Sequence, residues 1–471
     1  MSKYNFLWYD YETFNLNKNF TFPSQFASIR TNLNLKIIKK YKIIYCKPDG
    51  SFMPCPKSIL LNKILPQYCE KYGIKEYKFA NKINKIMLKP YTINIGYNNI
   101  NFDDIITRFL FWRNLLNPYE REWKNKCSTY DFFNIIKIIY FINYNSLKWF
   151  KKKNKKISFK LSDISKINGY LNKFFHNALF DVNATLFCAK IIKKKNFKLF
   201  YKFIKLRNKK NIIKNILFKK KVFLYLSNKY PFFEKEIFIL LPLFIDNKNK
   251  NKLICLNINS NFNNFFDFKK KYNFKKINNY IKIININKYP IIFFNIKKIL
   301  KKINFKINFN LIKKNITKIN NNIKLILNIY KKFNYNYKYK KILNINFDLY
   351  NNFFISLNDK YNIKIIKKLN INKIHNKKFY FYNNNIKILC FFYKLKKYKK
   401  YISNFEKKIW IKYCKINLLK NYNNELNFFE KLFYIKKKYL KCSNKYKKKI
   451  LYFLINYARK INPFNNDIND W

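Results

Sequence analysis

The sequence contains few glycines, prolines, acids and histidines. Its 471 residues include 4 Gly, 11 Pro, 2 His, and 23 Asp and Glu together, against 100 Lys and Arg. The abundant residues are Lys, Asn, Ile, Phe and Tyr, which A/T-rich codons specify, so a genome strongly biased toward A and T accounts for this composition. The net charge of +77 fits a nucleic-acid partner, because cationic surfaces release counterions from phosphates, and it fits compositional drift equally well.

Cysteine pairs and long apolar runs are also missing. The nine cysteines occur singly, without a C-x-x-C pair or a histidine at ligand spacing, which argues against a disulfide framework or a zinc site and indicates free thiols. Lys and Asn interrupt every apolar run well short of the roughly 18 residues of a membrane-spanning helix. We therefore expect a soluble, cytoplasmic protein that has no signal peptide and does not bind membranes.

The first 205 residues alternate between strand and helix patterns. Strands are predicted at 4–9, 41–46 and 91–96. Helices are predicted at 103–114, after 131, and at 177–195. The side chain of Asn177 can cap the last of these helices. Strands interleaved with helices predict an α/β domain at 1–205.

After residue 205 the pattern changes twice. Short strand-like runs first alternate with Asn- and Lys-rich turns at 222–226, 237–244, 253–258, 281–286 and 291–294. Spaced apolar residues then favour helices at 406–419, 425–439 and 448–461. We therefore expect a small β-rich domain at 206–346 and a helical domain at 347–471.

Three acids stand out in a chain that has few. Asp10 and Glu12 end an apolar run, and residues two apart on a strand point to the same face. Adjacent carboxylates repel each other unless a cation lies between them, and oxygen ligands favour Mg²⁺ or Mn²⁺. Asp103 begins a predicted helix directly after a strand and a polar loop, where it could reach the same site. Exposed or capping roles are the alternatives, and Asp104 could supply the cap instead of Asp103.

A histidine and a fourth acid lie further along the chain. His176 is one of two histidines, and Asp181 follows it by five residues, about one helical turn beyond it. An imidazole with a pKa near 6.5 can accept a proton from water near neutrality, as a general base must. A lone surface or core histidine is the alternative interpretation of His176.

The order Asp10, Glu12, Asp103, His176 and Asp181 resembles the histidine-bearing subgroup of the DEDD exonucleases. Longer sequence segments resemble the bacterial exodeoxyribonuclease I family. They are FLWYDYETF at 6–14, QFASIRT at 25–31, GYNNINFDD at 96–104, TR at 107–108, NPY at 117–119, INKYP at 286–290 and LYNNFF at 349–354. These matches extend through nearly the whole chain and are densest before residue 210.

The resemblance implies a ribonuclease H-like exonuclease domain followed by an SH3-like domain and a helical C-terminal domain, which together form a C-shaped clamp. It implies a metal-dependent enzyme of DNA repair and recombination that removes nucleotides from the 3′ end of single-stranded DNA and releases 5′-mononucleotides. Asp10, Glu12, Asp103 and Asp181 would bind two Mg²⁺ ions, or Mn²⁺, and His176 would deprotonate the attacking water. A monomer is expected, with single-stranded DNA-binding protein as a partner.

Proteins that bind single strands combine cationic grooves with aromatic side chains on which bases stack. Nine residues in or beside the matched segments are candidates for contacts with DNA. They are Tyr97, Arg108, Trp112, Arg113, Tyr119, Phe159, Lys160, Lys288 and Tyr289. Arg108 and Arg113 could have structural roles instead, and Lys160 replaces the family's arginine, which exchanges a forked cation for a point charge. Two other functions remain open: a nucleic-acid-binding protein whose nuclease activity has decayed, and a DEDD exonuclease that acts on RNA.

Overall fold

A computed structural model of the chain describes most of its residues. The described residues are 3–171, 177–205, 207, 212–213, 216, 221–227, 237–260, 262, 279–303, 308–324, 326–327, 330, 344–350, 355–368, 379–398, 401–421 and 426–464. They form two compact units. The first comprises Met1–Thr129, Tyr170–Leu186 and Lys341–Trp471, and the second comprises Tyr130–Gly169 and Phe187–Lys340.

The described strands and helices are numbered in chain order. The strands are β1 Asn5–Thr13, β2 Pro23–Asn32, β3 Ile37–Lys47, β4 Ile74–Lys75, β5 Thr92–Gly96, β6 Ser128–Asp131, β7 Phe223–Leu226, β8 Ile237–Ile245, β9 Lys252–Asn257, β10 Ile281–Asn285 and β11 Ile291–Phe293. The helices are α1 Pro56–Asn62, α2 Pro66–Tyr72, α3 Glu76–Met87, α4 Asp103–Arg113, α5 Phe132–Ile142, α6 Leu161–Ile167, α7 Ala178–Lys195, α8 Phe197–Lys205, α9 Ile296–Ile303, α10 Phe309–Asn321, α11 Leu357–Lys368, α12 Asn384–Lys397, α13 Asn404–Leu419, α14 Phe428–Leu440 and α15 Lys445–Lys460.

The first unit is built around a mixed sheet with the order β4-β3-β2-β1-β5-β6. β1 pairs antiparallel with β2 and parallel with β5. Side chains alternate along β1, so Leu7, Tyr9 and Tyr11 pack with apolar residues of α3 and α4 in one core cluster. The same alternation places Asp10 and Glu12 on the opposite face of the sheet.

A second core joins the early part of the first unit to its C-terminal helices. It contains residues from α1, α4, α12, α14 and α15, together with Phe22, Phe52 and Phe347. Sequence-encoded caps start α13 and α14, because Ser403 with Glu406 and Asn427 with Glu430 form capping boxes. α14 contributes Phe428 and Ile435 to this core, and α13 contributes Leu418.

The second unit contains an antiparallel sheet with the order β10-β9-β8-β7-β11. β9 is buried on both faces: Ile254 and Leu256 pack in a cluster that includes residues of α10, and Leu253 and Cys255 pack in a separate cluster on the other side. A strand covered on both faces needs apolar residues at every position. That requirement explains why β9 lacks the usual polar alternation.

Most of the strands and helices that the sequence predicts are confirmed. β1 runs on to Thr13, past its predicted end, so the two acids lie within the strand. The sequence did not indicate β2 or α1 to α3, and the expected β-rich region also contains α9 and α10. All nine cysteines are free thiols, as expected. Among the described residues, no helix has the length and apolar character needed to span a bilayer. The division into three domains remains a prediction.

Candidate metal centre

Three carboxylates meet at one end of the central strand. Each of Asp10, Glu12 and Asp181 offers an oxygen, and these oxygens lie within 4.8 Å of one another. β1 supplies Asp10 and Glu12 on one face, and the first turn of α7 supplies Asp181. All three side chains are half-buried. The arrangement therefore concentrates oxygen donors at a position that is only partly covered.

Asp103 lies beside these three acids but is not one of the set that converges within 4.8 Å. It is 2% exposed, and its Oδ1 accepts the backbone N–H of Tyr11 at 3.1 Å. The pairing of β1 with β5 extends from Asn5 to Trp8, so the N–H of Tyr11 lies beyond it and needs another acceptor. The Asp103 carboxylate fills that need between the positions of Asp10 and Glu12.

The loop before α4 brings Asp103 to this position. A Cβ atom at Gly96 would lie 2.9 Å from the carbonyl oxygen of Tyr9, so only glycine allows this close approach of β5 to β1. Asn98 adopts a left-handed conformation with φ of 59°, which asparagine tolerates better than most residues. A short 3-10 turn at Asn99–Asn101 then leads into α4. Asp103, the first residue of α4, is thereby turned back over the end of the sheet.

Asp104 does not provide the helix cap that was its expected alternative role, because α4 has no side-chain cap. Its Oδ1 instead accepts the hydroxyl of Tyr9 and the Nη2 of Arg121, both at 2.7 Å. Burial alone would raise the pKa of Asp104, but the guanidinium of Arg121, with Arg108 and the two hydrogen bonds, holds that pKa below its usual value. The hydrogen bond from Tyr9 joins the start of α4 to β1, and the buried ion pair joins it to the segment that contains Arg121.

The converging carboxylates destabilise each other's charged forms. Burial, followed by the charges of Asp103, Asp181 and Glu12, holds the pKa of Asp10 well above its usual value. Burial, Asp181 and Asp103 raise the pKa of Glu12 to about 8, against a lowering hydrogen bond from Asn62. A cation would remove this repulsion, and carboxylate oxygens are suited to hard divalent ions. The donor set therefore fits a divalent metal.

The predicted general base, His176, lies outside the described residues. Asn177, directly after it, has the capping role that the sequence predicts. Its Oδ1 accepts the N–H of Leu179 at 3.1 Å, and its carbonyl accepts the N–H groups of Phe180 and Asp181. The first turn of α7 is thereby fixed where Asp181 projects.

Two expected nucleic-acid contacts in the first unit are wrong. The side chain of Arg113 is 0% exposed, forms a 2.6 Å ion pair with Glu76 and lies over the ring of Phe22. Trp112 is buried, and its Nε1 donates to the carbonyl of Ile345 at 3.0 Å. Both residues hold the core together and cannot contact a strand at the surface.

The other three candidates in the first unit remain accessible. Arg108 forms a 2.8 Å ion pair with Glu122 and stacks over Tyr119, which is 37% exposed. Tyr97 is half-buried in the loop after β5. Two rings are therefore partly exposed, and the paired Arg108 side chain is 16% exposed.

In the second unit, Phe159 and Tyr289 are buried. Phe159 packs against Trp149, and the carbonyl of Tyr289 accepts the side-chain N–H of Asn134. As stacking platforms, these two predictions are wrong. Lys160 and Lys288 are exposed, as a phosphate contact requires.

Sequence reasoning missed three residues that support the centre. They are Gln25, Asn62 and Arg121. Gln25 and Arg121 are 0% exposed, and Asn62 is 6% exposed. Gln25 lies in a strand that is rich in polar residues, so its residue type alone gave no signal. The partners of the three residues could not be read from the sequence because the contacts join distant segments.

Comparisons with known proteins agree with this architecture. The model of the Exonuclease I SH3-like domain matches residues 207–339, and that of the Exonuclease I C-terminal domain matches residues 343–461. The chain is 43% identical over 255 residues to exodeoxyribonuclease I of Buchnera aphidicola subsp. Schizaphis graminum, covering 54% of this chain and 53% of that one. It is 37% identical over 295 residues to the enzyme of the same name from Buchnera aphidicola subsp. Acyrthosiphon pisum, covering 61% and 71%.

The first of these alignments thus spans about half the length of the relative. Among solved structures, E. coli exonuclease I in complex with a dA16 oligonucleotide superposes with a TM-score of 0.86 at 24% identity, over 98% of this chain and 100% of that one. A structure of SSB and exonuclease I with an inhibitor gives a TM-score of 0.84 at 24% identity, over 97% and 99%. At this identity the superpositions establish the fold.

Proposed function

The chain belongs to the exodeoxyribonuclease I family, and on that premise we propose that it is a metal-dependent 3′-to-5′ exonuclease. Its substrate would be single-stranded DNA, its products 5′-mononucleotides, and its role DNA repair and recombination. The observation that carries the proposal is the convergence of Asp10, Glu12 and Asp181 within 4.8 Å, with Asp103 beside them. A binding protein without catalysis would have no need for four acids whose mutual repulsion costs stability.

In the proposed mechanism, Asp10, Glu12, Asp103 and Asp181 hold two divalent cations, Mg²⁺ in the first place and Mn²⁺ as a substitute. When bound, the cations stabilise negative charge on the attacking and leaving oxygens of an in-line displacement. His176 takes the proton of the attacking water at its imidazole. The Asp104 and Arg121 pair keeps Asp103 in place throughout the reaction.

For strand binding we propose separate contributions from the two units. In the first unit, the rings of Tyr97 and Tyr119 offer stacking surfaces and Arg108 a cation near phosphate. In the second unit, Lys160 and Lys288 offer exposed ammonium groups. The sequence-independent chemistry of stacking and phosphate neutralisation suits an enzyme that degrades any sequence.

We also propose a monomeric, cytoplasmic protein divided into domains at 1–205, 206–346 and 347–471. The free thiols support a reducing compartment, and the ranges of the two matched family models support the boundaries. Single-stranded DNA-binding protein is the proposed partner, and the related structure that contains SSB together with exonuclease I supports it.

Degradation of 3′-labelled single-stranded DNA, RNA and duplex DNA, each with Mg²⁺ or EDTA, tests the proposal. We expect Mg²⁺-dependent release of mononucleotides from single-stranded DNA. A preference for RNA would favour the alternative substrate, and the lack of any Mg²⁺-dependent cleavage would favour a binding protein with decayed activity.

A matched pair of variants sharpens this test. Asp181→Asn should lower hydrolysis at least about 100-fold and leave strand binding within several-fold. Glu70→Gln removes the same charge from a pair with Lys460 elsewhere in the unit and should change neither quantity. Parallel loss of cleavage and binding in Asp181→Asn would indicate a structural role for Asp181.

A further inference from the structure

A buried glutamine joins the sheet to the helix that carries Asp181. Gln25 lies on β2 directly opposite Glu12 in the antiparallel register, so both side chains are on the same face. The Oε1 of Gln25 accepts the N–H of Ala178 at 3.0 Å, and its Nε2 donates to the hydroxyl of Tyr45 at 3.0 Å. The side chain thus spans from the neighbouring strand β3 to the first residue of α7.

The contact with Ala178 has a specific place among the first amides of α7. A helix leaves its first four N–H groups without intrahelical partners. Here the N–H groups of Leu179, Phe180 and Asp181 bond to the side chain or carbonyl of Asn177, within the turn itself. The amide of Ala178 instead bonds to a strand of the sheet. The hydrogen bond to Gln25 therefore sets the distance between the first turn of α7 and the sheet.

The chemistry of the side chain suits this position. An amide oxygen accepts the N–H without adding charge, whereas a carboxylate would add a negative charge opposite Glu12, whose own ionised form is already disfavoured. Gln25 is 0% exposed, so its amide is unavailable to solvent. A buried amide that has both a donor and an acceptor bond holds its partners in one geometry.

We propose that Gln25 is a positioning residue that sets the separation between Asp181 and the Asp10 and Glu12 pair, and through it the affinity of the centre for divalent cations. Its effect on catalysis rests on the proposed function, and its effect on cation binding does not. Partners that orient metal ligands typically change metal affinity or activity 10- to 100-fold when they are removed.

The test measures Mn²⁺ binding to the full-length protein by the loss of the free-ion electron paramagnetic resonance signal, with kcat, KM and the midpoint of thermal unfolding for each variant. Gln25→Met retains the approximate size of the side chain but removes both the acceptor for Ala178 and the donor to Tyr45. We expect Mn²⁺ binding to weaken about 10- to 100-fold and kcat to fall, with KM for the strand within about twofold. Tyr45→Phe removes the other partner of the same amide and should stay within about threefold of wild type in Mn²⁺ affinity.

Gln25→Asn is the second variant, because it keeps the amide but is one methylene too short to reach Ala178. It should show the same weakening and serves if Gln25→Met does not fold. Mn²⁺ affinity within twofold of wild type in either folded variant would overturn the proposal, as would an equal loss in Tyr45→Phe. If the wild type binds Mn²⁺ but cleaves no DNA, the proposed function fails while the positioning role of Gln25 is still decided by the Mn²⁺ affinities.

Discussion

Stability of the protein is expected to depend jointly on pH and divalent cations because the acids of the centre repel one another. The pKa of Glu12 rises from an ordinary 4.5 to about 8 on folding. Between these values the folded state holds a proton that the unfolded state has lost, so folding is favoured at low pH and this contribution is lost as the pH rises through about 8. A bound cation replaces the proton. The stabilisation by Mg²⁺ should therefore grow from pH 5 to pH 8.5.

The size of the stabilisation expected from Mg²⁺ follows from the shift in the pKa of Glu12. A change of pKa from 4.5 to about 8 corresponds to roughly 5 kcal/mol, and solvent screening at a half-buried side chain reduces this to about 2 kcal/mol. In 10 mM MgCl₂, compared with NaCl of equal ionic strength, Tm should then be about 4 °C higher at pH 8.5 and almost unchanged at pH 5. Matching the ionic strength separates the site from general screening of the +77 charge.

Two variants decide whether the carboxylates are responsible. In NaCl at pH 8.5, Asp181→Asn should raise Tm above that of the wild type because it removes repulsion, and it should reduce the increment caused by Mg²⁺. Glu70→Gln should change neither quantity. A Mg²⁺ increment that is the same at every pH, or that is unchanged in Asp181→Asn, would refute the reasoning.

Three further predictions concern residues other than the four acids of the metal centre. Glu76→Gln leaves Arg113 buried without its counter-ion, so the free energy of urea unfolding should fall by about 3 kcal/mol. The salt dependence of strand binding should not change; a change in it would restore Arg113 as a phosphate contact. Lys160→Ala should leave stability intact and reduce the slope of log K against log salt by about 0.7, and an unchanged slope would exclude that contact. Arg121→Met should destabilise by about 3 kcal/mol, and adding Asp104→Asn should recover much of the loss, whereas additive losses would contradict a buried pair.

Much of the fold could be predicted from local patterns. Alternation marked β1, the polar loop after β5 marked the start of α4, and Asn177 marked the start of α7. These features depend on neighbours within a few residues, so the sequence contains all the information they need. The helices α9 and α10 were missed although α9 has apolar residues at 296, 299, 300 and 303, which is the spacing of an amphipathic helix.

The sequence predicted the acids of the candidate site but not the residues that hold those acids in place. Asp10 and Glu12 share a face because of the strand period alone. The buried roles of Trp112 and Phe159 could not be predicted, because with 51 Phe and 39 Tyr in the chain an aromatic residue type says little about burial. A structural role for Arg113 was one of the expected alternatives, and its buried pair with Glu76 agrees with that alternative.

The sequence alone therefore determined which side chains were candidates for the chemistry, because strand and helix periods and the order of the acids can be read directly from the chain. Tertiary structure decided which of them meet. Asp181 meets Asp10 and Glu12 where β2 pairs with β1 in one register and Gln25 of β2 bonds to the start of α7. Those contacts link distant segments, and their geometry depends on packing throughout the unit rather than on any spacing along the chain.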